Sequence, residues 1–166
     1  MTEDNRLRLL SLAKALGKKF DMSTFDKRLF LQKITYLAQE TGMHFGFHFG
    51  WYVHGPYSPT LTKDAFELED LLKSAGSCNV DLPKVHLDSS KVQILKNILN
   101  EIDQKREETE YWLELLASVH FLCKHAYPKA KDDNEVTKRL EALKPGQYNP
   151  DMIKNAFELL QKYGLI

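Results

Sequence analysis

Apolar residues return every three or four positions through most of this chain, the signature of amphipathic helices sharing one core. After Asp4, the residues Leu7, Leu10, Leu12, Ala13 and Leu16 recur at helical spacing, with Arg6, Arg8, Lys14 and Lys18 largely elsewhere around the cylinder. Ser23 and Asp26 form an approximate capping box ahead of Phe25, Leu29, Phe30, Ile34, Leu37 and Ala38, and Gly42 stops this second helix. The period then changes to two. Phe45, Phe47, Phe49, Trp51 and Val53 alternate with His44, Gly46, His48, Gly50, Tyr52 and His54, which predicts β structure, either one strand or two short ones bent at the glycines. The run His54-Gly55-Pro56-Tyr57-Ser58-Pro59 ends it. Ser58 caps a third helix that starts at Pro59, where the missing N–H would be unpaired anyway, and Leu61, Ala65, Leu68 and Leu72 form its buried stripe.

Residues 76–88 read as an irregular connection, with room for a short strand at Val80 to Leu82 or Val85 to Leu87. Val92, Leu95, Ile98, Leu99 and Ile102 mark a fourth helix. Trp112, Leu115, Leu116, Val119, Leu122 and Cys123 mark a fifth, which Pro128 helps to stop. The charged join Gln104 to Glu108 between them fits a loop or a continuing helical turn. Val136, Leu140 and Leu143 give a short sixth helix before Pro145-Gly146, and Asn149 and Pro150 open a seventh carrying Ile153, Ala156, Phe157, Leu160 and Tyr163. The expected fold class is therefore mainly α (α+β): a single helical domain over residues 1–166, of about seven helices, with a small β element between the second and third.

Composition narrows the function classes. At 166 residues, 43% hydrophobic and 28% charged, the chain suits one globular body and not a disordered or disulfide-built one. Lys and Arg total 23, as do Asp and Glu, so no net field favours DNA, RNA or an anionic membrane, and nucleic acid is disfavoured as a partner. Cys78 and Cys123 belong to no CxxC pair, and no stretch approaches the ~20 apolar residues of a membrane span. A cytoplasmic setting, without a membrane, is the expectation.

Motifs of known chemistry are missing. In an extended strand His44 and His48 stand about 14 Å apart, and on an ideal helix His120 and His125 differ by about 140°, so neither pair predicts a metal site. There is no GxSxG elbow and no phosphate-binding glycine loop, and no cofactor is expected. Glu107-Glu108 and Asp132-Asp133 read as solvated charges. What stands out is the aromatic turn, with Tyr52, His54 and Tyr57, beside the polar positions of the second helix, Lys27, Arg28, Lys33, Tyr36 and Gln39. Large amphipathic rings of this kind favour macromolecular contacts. The candidate partner-binding residues are Lys33, Tyr36, Gln39, Tyr52, His54 and Tyr57.

Leu31-Gln32-Lys33-Ile34-Thr35-Tyr36-Leu37-Ala38-Gln39 and Trp51-Tyr52-Val53-His54-Gly55-Pro56-Tyr57-Ser58-Pro59 resemble two paired blocks, LQKLLYFAQ and W-x-x-GP-x-x-P, of the Panacea (SocA-like) antitoxin domain. The GPYS block and the ending from Arg139 through Ile166 also resemble the YwgA-like proteins. The paired blocks cover about residues 25–75, and 89–166 form the helical C-terminal part. The resemblance implies a mainly helical adaptor that binds another protein, such as a toxin or a defence-system component, and can hand it to a protease. On that basis the sequence predicts a non-enzymatic interaction module, an antitoxin or proteolytic adaptor. Two alternatives stand beside it. One is a DNA-binding transcriptional regulator whose last two helices turn Lys138, Arg139 and Lys154 toward DNA. The other is a small hydrolase built on His54, which needs a Ser or Cys within hydrogen-bond reach of the imidazole.

Overall fold

Helix α5 (Thr109–Lys124) is the axis of the fold, and its sequence says why: TEYWLELLASVHFLCK is apolar almost all the way round, and every residue from Trp112 to His120 is buried. The computed structural model describes residues 3–76 and 85–166 of the chain. Against α5 pack α2 (Phe25–Glu40), α4 (Ser89–Ile102), α6 (Asp133–Leu143) and α7 (Pro150–Lys162), while α1 (Glu3–Ala15) packs on α3 (Pro59–Ser74) and α3 on α2. The most extensive partners of α5 are α2 on one side and α7 on the other. A two-stranded antiparallel sheet, β1 (Gly50–Tyr52) and β2 (Gly55–Tyr57), lies between α2 and α3 in the chain and rests on α5. The chain is thus a mainly α single domain. No helix among the described residues is long and apolar enough to cross a membrane.

The helix starts follow the capping grammar of the sequence. Ser58 Oγ accepts the Leu61 N–H at 3.3 Å and Asn149 Oδ1 accepts that of Met152 at 2.9 Å, each ahead of a proline in the first turn. The cap of α2 lies one residue beyond the expected serine: Thr24 Oγ1 accepts the Lys27 N–H at 3.3 Å. Each such cap contributes about 1 kcal/mol. The join between α4 and α5 is a loop, and residues 85–88 are not a strand; the alternative strand at Val80 to Leu82 lies outside the described residues.

The phenylalanine alternation is only partly β. Phe45 and Phe47 are buried while His44, Gly46 and His48 are exposed, so the two-residue period reports side-chain direction correctly. Yet strand pairing begins only at Gly50. The place of a neighbouring strand is taken by one side chain: Gln39 Nε2 donates to the Phe47 carbonyl at 3.0 Å, and Gln39 Oε1 accepts the Phe47 N–H at 2.9 Å. The second difference is that the Gly55-Pro56-Tyr57 run, expected to end the β segment, is itself β2, with Tyr52 opposite Gly55 across a tight turn at Val53 and His54.

Candidate functional site

The two sequence blocks meet in space. Gln32 on α2 reaches the start of α3, donating Nε2 to the Ser58 carbonyl at 2.8 Å and to Thr62 Oγ1 at 2.8 Å while its Oε1 accepts the Ser58 N–H at 2.9 Å. The next residue, Lys33, donates Nζ to the Pro56 carbonyl at 2.6 Å. Residues of the first block therefore pin the hairpin of the second against α2. Above this clamp opens a cleft of about 300 Å³ between the first half of α2, the hairpin turn and the start of α3. Its walls are aromatic. Phe25 meets the His54 ring edge to face at 5.1 Å, Tyr52 leans on Tyr57 at 5.1 Å, and Phe66 of α3 lines the far side.

At the cleft the His54 side chain is 47% exposed, and its Nδ1 is held by Glu114 Oε2 at 3.1 Å. Glu114 projects from α5, is 4% exposed, and binds four residues of the hairpin turn, the end of α6 and the loop before α7. Its Oε1 also accepts from Lys144 Nζ at the end of α6, from Gln147 Nε2 at 3.0 Å and from the Tyr148 hydroxyl at 3.1 Å. Burial pushes this carboxyl's pKa up, but the Lys144 hydrogen bond and charge, helped by Gln147 and His54, outweigh it and hold the group below its ordinary value. Glu114 is therefore a fixed carboxylate. It orients the imidazole through Nδ1 and leaves Nε2 as the nitrogen available for chemistry.

The structure separates the sequence-predicted residues into two groups. Tyr52, His54 and Tyr57 surround the cleft, and Lys33, although 1% exposed, also belongs to its lining. Lys33 and Tyr36 do not lie on a solvent face: both are 1% exposed, because α2 is buried on more of its circumference than an amphipathic surface helix. Gln39 serves the Phe47 backbone. Tyr36 donates its hydroxyl to His120 Nδ1 at 2.7 Å, and His120 Nε2 faces the Leu165 carbonyl at 3.2 Å. That direction follows from charge states: burial lowers His120 to about 4, so the ring is neutral, and burial raises the Tyr36 phenol, so it keeps its proton. His120 and His125, expected to face apart, come together. The helix ends at Lys124, and His125, at φ −117°, turns its ring back to 5.9 Å from that of His120.

Several site residues escape sequence reasoning. Phe25 and Phe66 read as core positions or not at all, yet are 50% and 40% exposed at the cleft. Glu114 was legible in principle, since a lone acid inside an otherwise apolar helix requires a buried partner. No serine or cysteine is hydrogen-bonded to His54 among the described residues, and burial pushes the Cys123 thiol up to about 11, so a thiolate nucleophile has no support. Arg139, assigned toward DNA in one alternative, is engaged by the Pro128 carbonyl and lies 3.9 Å from Glu135.

Lys33 makes a pH prediction. Burial, only partly offset by Glu114, lowers its pKa from 10.5 to about 7. Between those values the unfolded chain holds a proton that the folded chain has released, so stability from this group is full above 10.5 and lost as pH falls through 7. Urea unfolding between pH 7 and 8.5 should show wild type gaining roughly 1.4 kcal/mol per pH unit over Lys33→Met. Parallel curves would contradict the buried-lysine assignment.

In class, then, this is a helical domain with an aromatic cleft closing on a carboxylate-held imidazole. The chain is similar to a DNA ADP-ribosyl glycohydrolase of Thermus aquaticus (strain ATCC BAA-2747 / Y51MC23), at 28% identity over 151 residues covering 84% of this chain. It spans 40% of the length of that relative. No family model matches the chain, and no solved structure matches it. The similarity corrects the non-enzymatic reading: the named relative is a hydrolase, which conflicts with an antitoxin or adaptor without activity.

Proposed function

We propose that the chain acts in the hydrolytic release of ADP-ribose from DNA, with the cleft at His54 holding a nucleoside-sized part of the substrate. The observation that carries this reading is the His54–Glu114 pair opening into a ring-lined cleft. Its volume of about 300 Å³ is at the lower end of small-ligand sites, and stacked rings suit a flat heterocycle. The Arg28 guanidinium in its wall supplies positive charge beside such a ligand, suited to a diphosphate. The two-carboxylate arrangement of most glycosidases is absent among the described lining residues, so the imidazole is the acid–base group. His54 Nε2 takes a proton from water as the water oxygen bonds to the anomeric carbon; the glycosidic bond breaks, its electron pair leaves with the departing DNA atom, which takes up a proton from solvent, and the imidazolium then returns its own proton to solvent. Glu114 stabilises the imidazolium formed in that step.

The test is release of free ADP-ribose from an ADP-ribosylated oligonucleotide, followed by mass spectrometry. Wild type is expected to release it, and His54→Ala to be slower by a factor of about 100 or more with the fold intact. No binding and no release by wild type would overturn the reading.

One observation favours a second reading. Phe25, Tyr52, Val53 and Phe66, which are 50%, 54%, 80% and 40% exposed, gather at this one cleft. Such a rim suits a protein surface. A partner docked there supplies the remaining machinery, in keeping with the 40% of its relative that the chain spans. Substrate binding without turnover, with turnover restored by that partner and lost again in Val53→Asp, distinguishes it from the first.

A further inference from the structure

A second constellation sits at the other end of α2, some 10 Å along the helix from Lys33 at 1.5 Å per residue. Glu40, in the last turn of α2, meets His120 and His125 from the end of α5. Glu40 Oε1 lies 2.8 Å from His125 Nε2 and Glu40 Oε2 lies 3.7 Å from His120 Nε2. One ligand atom from each of the three residues falls within 4.8 Å of the others. We propose that Glu40, His120 and His125 form a binding site for a divalent first-row transition ion, with Zn²⁺ its natural probe, that clasps the end of α2 to the end of α5.

Four observations support it. Two imidazoles and a carboxylate are a recognised zinc ligand set. Ligand atoms around a tetrahedral ion with bonds near 2 Å stand about 3.3 Å apart, and one ligand atom from each residue already lies within 4.8 Å of the others, so small side-chain movements bring the three to an ion. His120 is also fixed from behind: its Nδ1 is hydrogen-bonded to the Tyr36 hydroxyl, both residues are 1% exposed, and once an ion takes Nε2 the same pair becomes the outer hydrogen bond that a metal-bound histidine makes. His125 and Glu40 are partly open, so an ion has an entry path and keeps a position for water. Binding moves the imidazole proton of His120 from Nε2 to Nδ1. The bond to the Leu165 carbonyl gives way to a metal–nitrogen bond, and the Tyr36 oxygen becomes the acceptor.

The experiment is calorimetric titration of Zn²⁺ into the full chain after chelator treatment, with Co²⁺ absorption as the geometric readout. Neither depends on activity at the cleft. Wild type should bind one ion and give the intense visible bands of four-coordinate Co²⁺. Glu40→Gln and His125→Ala, partly exposed positions that leave the core intact, should each weaken binding at least tenfold, by about the amount that loss of a supporting contact alone causes or more. His86→Ala, an exposed histidine in a separate pocket lined by α1 and α4, should bind as wild type does. Absence of saturable binding by wild type, or equal binding by the Glu40 and His125 variants, would overturn the site.

Discussion

Glu114→Ala is expected to destabilise the protein by about 3–5 kcal/mol, because it removes one partner of a buried ion pair and leaves the other charged and unpaired. Lys144 is 7% exposed and its ammonium bonds Glu114 directly; the Trp51 and Tyr148 rings near it at 6.0 and 5.9 Å are weak substitutes for a carboxylate. The same change strips acceptors from Gln147 and Tyr148 and frees His54 to rotate. At roughly 2–4 °C per kcal/mol for a chain of this size, the melting temperature should fall on the order of 10 °C. Adding Lys144→Met removes the stranded charge, so the double variant should melt above Glu114→Ala alone. A double variant that melts lower would show that the pair is not coupled as described.

Gly55→Ala is the second large effect, at about 3 kcal/mol in thermal or urea unfolding, and it joins two causes. Gly55 has φ +78°, where a β-carbon costs about 1–2 kcal/mol. A methyl there would also stand 2.4 Å from Ser118 Oγ on the fully buried face of α5. The Ser118 β-carbon, at 3.5 Å, is in ordinary contact, so the clash is with the hydroxyl, which must swing aside among close-packed neighbours. Removing the obstacle with Ser118→Gly should recover the steric part and leave the conformational part. The close approach is what lets the hairpin lie flat on α5, bringing His54 within reach of Glu114. Gly55→Ala should therefore impair the cleft as well as the fold, whereas a variant as stable as wild type would contradict the tight seating of the turn.

Helices were legible because burial on one face leaves a local, periodic trace. All seven, and their capping at Ser58 and Asn149, could be read from spacing and from the residues flanking each prolines-and-glycine boundary. Pairing was less visible. Phe45 to Phe49 alternates as a strand does, yet its hydrogen bonds go to Gln39, and no local pattern distinguishes a side-chain amide from a neighbouring strand. The same holds for the polar positions of α2, where Lys33 and Tyr36 look like a solvent face until α5 and the hairpin are laid over them. Helical arithmetic placed His120 and His125 apart only because it extended the helix one residue beyond Lys124. The cleft was half legible: Tyr52, His54 and Tyr57 announced themselves by ring chemistry, while Glu114 and Phe66 come from helices 60 and 12 residues further along the chain than His54 and require the tertiary fold.

The proposed role of the ring-lined cleft over His54 is to receive the ADP-ribosyl group of modified DNA. Nuclear magnetic resonance with labelled aromatic and histidine side chains, titrated with an ADP-ribosylated oligonucleotide and its unmodified counterpart, tests it most directly. Saturable shifts centred on Phe25, Tyr52, His54 and Phe66 are expected with the modified strand, and far weaker ones with the plain strand. Shifts centred elsewhere, or none at all with the modified strand, would contradict it.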